Sequence, residues 1–179
     1  TDGTAFFQLQ EEMRNAFECT VIDLPRAMLV QHPHLLHDVQ ATVVVTEFTL
    51  AATRDSIRVL SWLKANAPQT RIIMVANRVP LSGQQEISRK DFESSIERKV
   101  DFVLPLDAKL AAQAAKLGKP LAEIGKGGKM GPLMAALAEQ LLAVVDGTTV
   151  SDAEDSGKLL LGRIGNLKAM LPKKKEKID

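Results

Sequence analysis

Ala41-Thr-Val-Val-Val-Thr46 carries β-branched side chains at five consecutive positions and shows no polar alternation. A strand with no polar face belongs to a parallel sheet covered on both sides. The flanking sequence agrees. Thr49–Ala65 winds as a helix with Leu50, Ile57, Leu60 and Leu63 on one face; Thr49 caps its start and Pro68 ends it. Thr70-Arg-Ile-Ile-Met-Val-Ala76 is the next strand, closed by Asn77-Arg78. Upstream, Cys19-Thr-Val-Ile-Asp-Leu24 reads as a short buried strand that ends in an acid and breaks at Pro25. Downstream, the polar loop Pro80–Glu86 leads to a helix capped by Ser88 and running to about Arg98. Val100–Leu104 is a fourth strand stopped by Pro105, and Asp107 caps a helix Ala108–Leu117 that ends at Gly118. Strand and helix alternating four times predict an α/β fold: a partial doubly wound, mainly parallel sheet with helices on both faces. Right-handed crossovers then bring Asp23, Glu47, Asn77 and Pro105 to one edge, where ligands sit in open α/β sheets.

Composition sets the bounds. The 179 residues are 45% hydrophobic and 25% charged with a net charge of +1, which fits one soluble domain with no global bias toward nucleic acid. Cys19 is the only cysteine, so no internal disulfide forms; its apolar setting predicts a small core residue and is compatible with a reducing cytosol. No apolar run is long enough to span a bilayer. Thr1-Asp-Gly-Thr4 lacks the basic start of a signal peptide, and the chain opens on Thr rather than Met, which suggests a processed chain or a fragment.

Phe6, Leu9, Met13 and Phe17 mark an amphipathic helix before the Cys19 strand. Arg26–Gln40 looks helical but interrupted at Pro33, and it holds His32, His34 and His37. His34 and His37 share a helix face, yet only Asp38 stands near to complete a metal set, so solvated histidines are the preferred reading. Gly125-Lys-Gly-Gly-Lys-Met-Gly131 is glycine-rich and basic. A phosphate loop needs a strand before it and Lys-Ser/Thr at its end; neither is present, so it reads as a flexible basic loop. Pro132 opens a helix through about Val144. An acidic linker follows over 146–156. Residues 157–179 form a basic amphipathic helix and tail, with Leu160, Ile164, Leu167 and Leu171 in a stripe and Lys173, Lys174 and Lys175 behind Pro172. That combination suits an anionic membrane surface. Packing on the domain or on a partner, with a solvated tail, fits it equally.

Taken in order, these words resemble the MinD/ParA class of deviant-P-loop ATPases, and within it the CpaE/TadZ proteins of Flp (tight-adherence) pilus assembly. The likeness is carried by Val21-Ile-Asp-Leu-Pro-Arg26, Val43-Val-Val-Thr-Glu47 with Arg54-Asp55, Ile73-Met-Val-Ala-Asn-Arg78, and Phe102-Val-Leu-Pro-Leu-Asp107 with Ala115 and Gly118. It covers roughly Phe6 to Val145, so residues 1–145 match the C-terminal portion of such an ATPase domain. The resemblance implies ATP and Mg2+ as cofactors of the intact protein. It implies that Asp23 is the switch II acid that orders magnesium and water, that Asn77 with Arg78 reads the adenine, and that Pro105 and Asp107 line the base. It further implies a homodimer, pilus assembly or secretion partners, and a cytoplasmic protein that can lie peripherally at the inner face of the membrane. On its own terms, an Asp at a strand end can hold magnesium directly or through water, or can simply begin the next turn.

Important family elements are missing from these residues. No Lys-Gly-Gly-x-Gly-Lys-Ser/Thr loop occurs, nor does a switch I aspartate or a receiver-like domain. The lysines and backbone amides of that loop would cradle the phosphates, so this chain alone is expected to bind no cofactor and to turn over no ATP. The family's phosphate-loop strand lies between the strands ending at Asp23 and Glu47. Without it, those strands are expected to pair directly, to swap with another chain, or to leave the N-terminal segment poorly attached. Two other readings stand beside this one: a non-catalytic scaffold or interaction module, and a ParA/MinD-type partitioning or positioning relative.

Overall fold

The structure is a computed structural model and describes residues 3–145. Its centre is a parallel sheet of β1 (Ala41–Thr46), β2 (Arg71–Val79) and β3 (Phe102–Pro105) in the order β1-β2-β3. Around it lie α1 (Gly3–Ala16), α2 (Arg26–Gln31), α3 (Leu50–Asn66), α4 (Arg89–Ser95), α5 (Ala108–Leu117), α6 (Leu121–Ile124) and α7 (Met130–Val145). A 3-10 turn over Pro33–Leu36 separates α2 from β1, because proline cannot continue the helix.

Strand β2 divides the molecule. Its alternate side chains Met74 and Ala76 enter a core with Val44, Leu63, Phe92 and Ile96, while Ile73 and Val75 enter another with Leu104 and Met130. Both crossover helices, α3 and α4, therefore serve the first face, and α5, α6 and α7 serve the second. This is the doubly wound α/β arrangement expected, in which the apolar run Ile72–Ala76 of the central strand is covered on both faces. Leu63, Ile73, Met74, Ala76 and Phe92 have no accessible surface, and Phe92 meets Phe48 edge-on at a centroid distance of 5.3 Å.

The helix starts follow the sequence. Thr49 accepts the Ala52 N–H at 3.1 Å, Ser88 accepts the Asp91 N–H at 3.1 Å, and Asp107 accepts the Leu110 N–H at 2.9 Å. Gly118 closes α5 in the left-handed conformation, φ 60°. Some boundaries move. Helix α4 stops at Ser95, short of Arg98. Strand β2 runs on through Asn77-Arg78 to Val79, and β3 begins at Phe102 because Asp101 makes its first rung partly with its side chain. The Asp101 N–H donates to the Met74 carbonyl at 2.9 Å, and the Asp101 carboxylate accepts the Met74 N–H at 2.7 Å.

The main correction concerns Cys19–Leu24. It is not a strand and does not join the sheet. Strand propensity is realised only against a neighbour, and none stands beside this segment, so Val21 is 85% exposed. Cys19 is likewise exposed and is not a core residue. Helix α1 forms as expected but buries little: Phe7 is 39% and Leu9 54% exposed, and Phe17, just past its end, is 61% exposed. Its ties to the body include an Arg14 hydrogen bond to the Asp38 carbonyl at 3.2 Å and the Phe7 ring 5.4 Å from that of His34.

Candidate functional site at the carboxyl edge of the sheet

All three strands are parallel, so their carboxyl ends share an edge. Glu47 follows β1 there, Asn77 and Arg78 stand near the end of β2, and Pro105 ends β3. The ladder between β2 and β3 is regular to Ala76, shifts, and resumes at Val79 opposite Pro105. Asn77 and Arg78 occupy that bulge. Arg78 has φ 56°, a left-handed backbone that costs a non-glycine residue about 1–2 kcal/mol. The Asn77 side-chain oxygen accepts the Arg78 N–H at 2.8 Å and supports the bend. The Arg78 guanidinium then reaches 3.3 Å from the Glu47 carboxylate and joins the ends of β1 and β2. Beyond the bulge, the Leu106 N–H donates to the Val79 carbonyl at 2.9 Å and holds the β3 end in place.

The edge thus gathers Glu47, Asn77, Arg78 and Pro105, with Asp107 just beyond. Asp107 is engaged as the α5 cap. Arg78 is exposed and Asn77 half-buried, so the surface offers a guanidinium and an amide to a ligand. Two nearby ties brace α3: Glu86 accepts the Leu50 N–H at 3.3 Å, and Arg26 pairs with Asp55.

Asp23 is exposed and lies on a segment that is not a strand of the sheet, so it is not a strand-end acid. Among the described residues, no three His, Cys, Asp or Glu side chains converge as metal ligands. His34 and His37 lie in and just after the 3-10 turn rather than on one α-helix face; the His34 ring packs 5.6 Å from that of His32. The glycine-rich loop follows the short helix α6, not a strand. It folds on itself, with the Gly128 and Gly131 N–H groups both donating to the Gly125 carbonyl. A Cβ at Gly131 would lie 2.6 Å from the Lys126 carbonyl oxygen, so that glycine permits a close backbone approach. The stripe and lysines proposed for membrane or partner binding (Leu160 to Lys175) lie outside the described residues.

One charged cluster was not anticipated. Glu93 on α4 is only 9% exposed and accepts the Val100 N–H at 3.0 Å, Arg89 Nε at 2.9 Å and Lys99 Nζ at 2.9 Å. The Val100 hydrogen bond, then those of Arg89 and Lys99, hold its carboxyl down to about 2 against the opposing effect of burial. Arg89 also donates to the Val100 carbonyl at 2.7 Å. The cluster sits ahead of β3, at the edge opposite the candidate site, and ties α4 to the turn feeding that strand. The Arg89–Glu93 spacing of four was the visible signal; the burial was not.

Comparison of the chain with protein-family models, with curated proteins and with solved structures found no match. Among the described residues, no helix is long and apolar enough to cross a membrane.

Proposed function

We propose that this chain is part of a CpaE/TadZ-like, MinD/ParA-related subunit of Flp-type pilus assembly that acts in the intact protein by ATP-controlled dimerisation and membrane or partner binding, and that these residues alone do not turn over ATP. The observation that carries the proposal is the carboxyl-edge group Glu47, Asn77, Arg78 and Pro105, held by a strained bulge on a parallel sheet. Strain of this kind persists where the surrounding structure over-determines it, and it clusters at ligand sites. The resemblance gives Asn77, Arg78, Pro105 and Asp107 the role of facing a purine base. These residues contain no phosphate-binding loop to hold a triphosphate. The residues therefore do not fit magnesium-ATP as a complete ligand, and no hydrolytic step is assigned to them. A cytoplasmic protein attached peripherally to the membrane through Leu160, Ile164, Leu167, Leu171 and the lysines behind them belongs to the same proposal. So does assembly with secretion partners. A second reading is a scaffold that keeps the α/β body and binds partners without any nucleotide.

The test is a titration followed by amide chemical shifts. Adenosine should perturb Asn77, Arg78 and Asp107 weakly, ATP should bind no tighter, and phosphate release should stay at background. Absence of any perturbation at this edge would favour the scaffold. Tight ATP binding would overturn the inference drawn from the missing loop.

A further inference from the structure

Helix α7 lacks the polar face of a surface helix. Its inner side, Leu133, Met134, Leu137 and Leu141, packs on the core with Ile73, Val75 and Leu104. Its outer side exposes Pro132, Ala135, Ala136, Ala138 and Leu142, the last at 40%. Glu139 is the one charged residue among its sixteen. Helices of soluble proteins turn charged and polar residues to water, and a helix that is apolar all round is covered on both sides.

The sequence after α7 carries a match for this outer side. Leu160, Ile164 and Leu167 recur at spacings of four and three. Leu142, Ala138 and Ala135 have the same spacings read in the opposite direction along α7. An antiparallel helix therefore sets Leu160 level with Leu142, Ile164 with Ala138 and Leu167 with Ala135. At two of the three levels a large side chain meets a small one, the complement that lets helices interdigitate. The same register puts residue 157 level with Val145, where α7 ends. Residues 146–156 then need only cross to a neighbouring helix axis, about 8–10 Å away. The charges agree: α7 presents only Glu139, and residues 157–171 carry Lys158, Arg163 and Lys168 and no acid. Gly162 and Gly165 weaken a free helix, so the segment winds best against a surface.

We infer that residues 157–171 fold back as a helix, antiparallel to α7 and seated on its outer side. The inference does not depend on the pilus reading. It adds a regulation to it, because a membrane or partner must compete with α7 for the same apolar stripe.

Disulfide trapping in the full chain tests this, in a Cys19→Ser background because Cys19 is exposed. Ala135→Cys combined with Leu167→Cys, and Ala138→Cys combined with Ile164→Cys, should each form a disulfide within one chain. Ala135→Cys combined with Leu160→Cys should not, since the register separates those positions by about 10 Å along the axis. Trypsin supplies the second readout. It should cut after Lys158, Arg163 and Lys168 about tenfold faster in Ala138→Asp than in the parent, while the α/β body of the variant melts near the parent temperature. Failure of both matched pairs to link, equal linking of the mismatched pair, disulfides formed only between chains, or equal trypsin rates would each overturn the inference. So would protection that appears only with phosphatidylserine vesicles, which would give the stripe to the membrane alone.

Discussion

Glu93→Gln isolates the charge in the cluster that ties α4 to β3. Glutamine keeps the acceptor for the Val100 N–H and removes only the ionic partner of Arg89 and Lys99. The Glu93 carboxyl is held at about 2 against an ordinary 4.5. At about 1.4 kcal/mol per pH unit, that gap corresponds to about 3 kcal/mol. Much of it is screened, because the Arg89 and Lys99 side chains are 52% and 87% exposed. A loss of about 1–2 kcal/mol is the expected effect. The folded state depresses this carboxyl, so its contribution is fully present above pH 4.5 and fades as pH falls through about 2. Urea unfolding at neutral pH should therefore show the variant less stable than the parent, with the two curves converging near pH 2. Equal stability at neutral pH, or a deficit that persists unchanged in acid, would refute the account of Glu93 as a charge-dependent tie.

Gly131→Ala should cost about 1–3 kcal/mol, because the atom facing the new methyl is a backbone oxygen at 2.6 Å that cannot step aside. Gly128→Ala, with its nearest neighbour at 3.6 Å, is the control and should melt with the parent. Arg78→Gly relieves a left-handed backbone worth about 1–2 kcal/mol, loses an exposed ion pair worth about 0–1 kcal/mol, and adds unfolded-state freedom. Its stability should stay within about 1 kcal/mol of the parent by the same urea assay, while the adenosine-induced shifts at the carboxyl edge disappear. A stability loss well beyond that would make the guanidinium a structural residue instead.

The parts of this fold legible in the sequence are those set by local chemistry. Thr49, Ser88 and Asp107 each accept an amide three residues on, a relation fixed by spacing alone. Strands β1 and β2 were readable because apolar runs without alternation admit only a doubly covered position. Cys19–Leu24 has the same composition but is not paired, since a strand is completed by its neighbour and composition cannot supply one. The Arg78 bend was hidden for a different reason. Left-handed backbone is signalled by glycine or asparagine, and here the asparagine stands one position earlier and supports the bend from its side chain. The Arg89–Glu93 spacing of four is legible, but the burial of Glu93 depends on Val100, seven residues away across a turn.

Strand β2 contributes side chains to both cores, so its ladder bonds open only if one of the two helical layers lifts away. The layers cannot fail independently, because each is built on alternate residues of the same nine-residue strand. The two layers are thus coupled through one seam, whose centre is Ile73–Ala76.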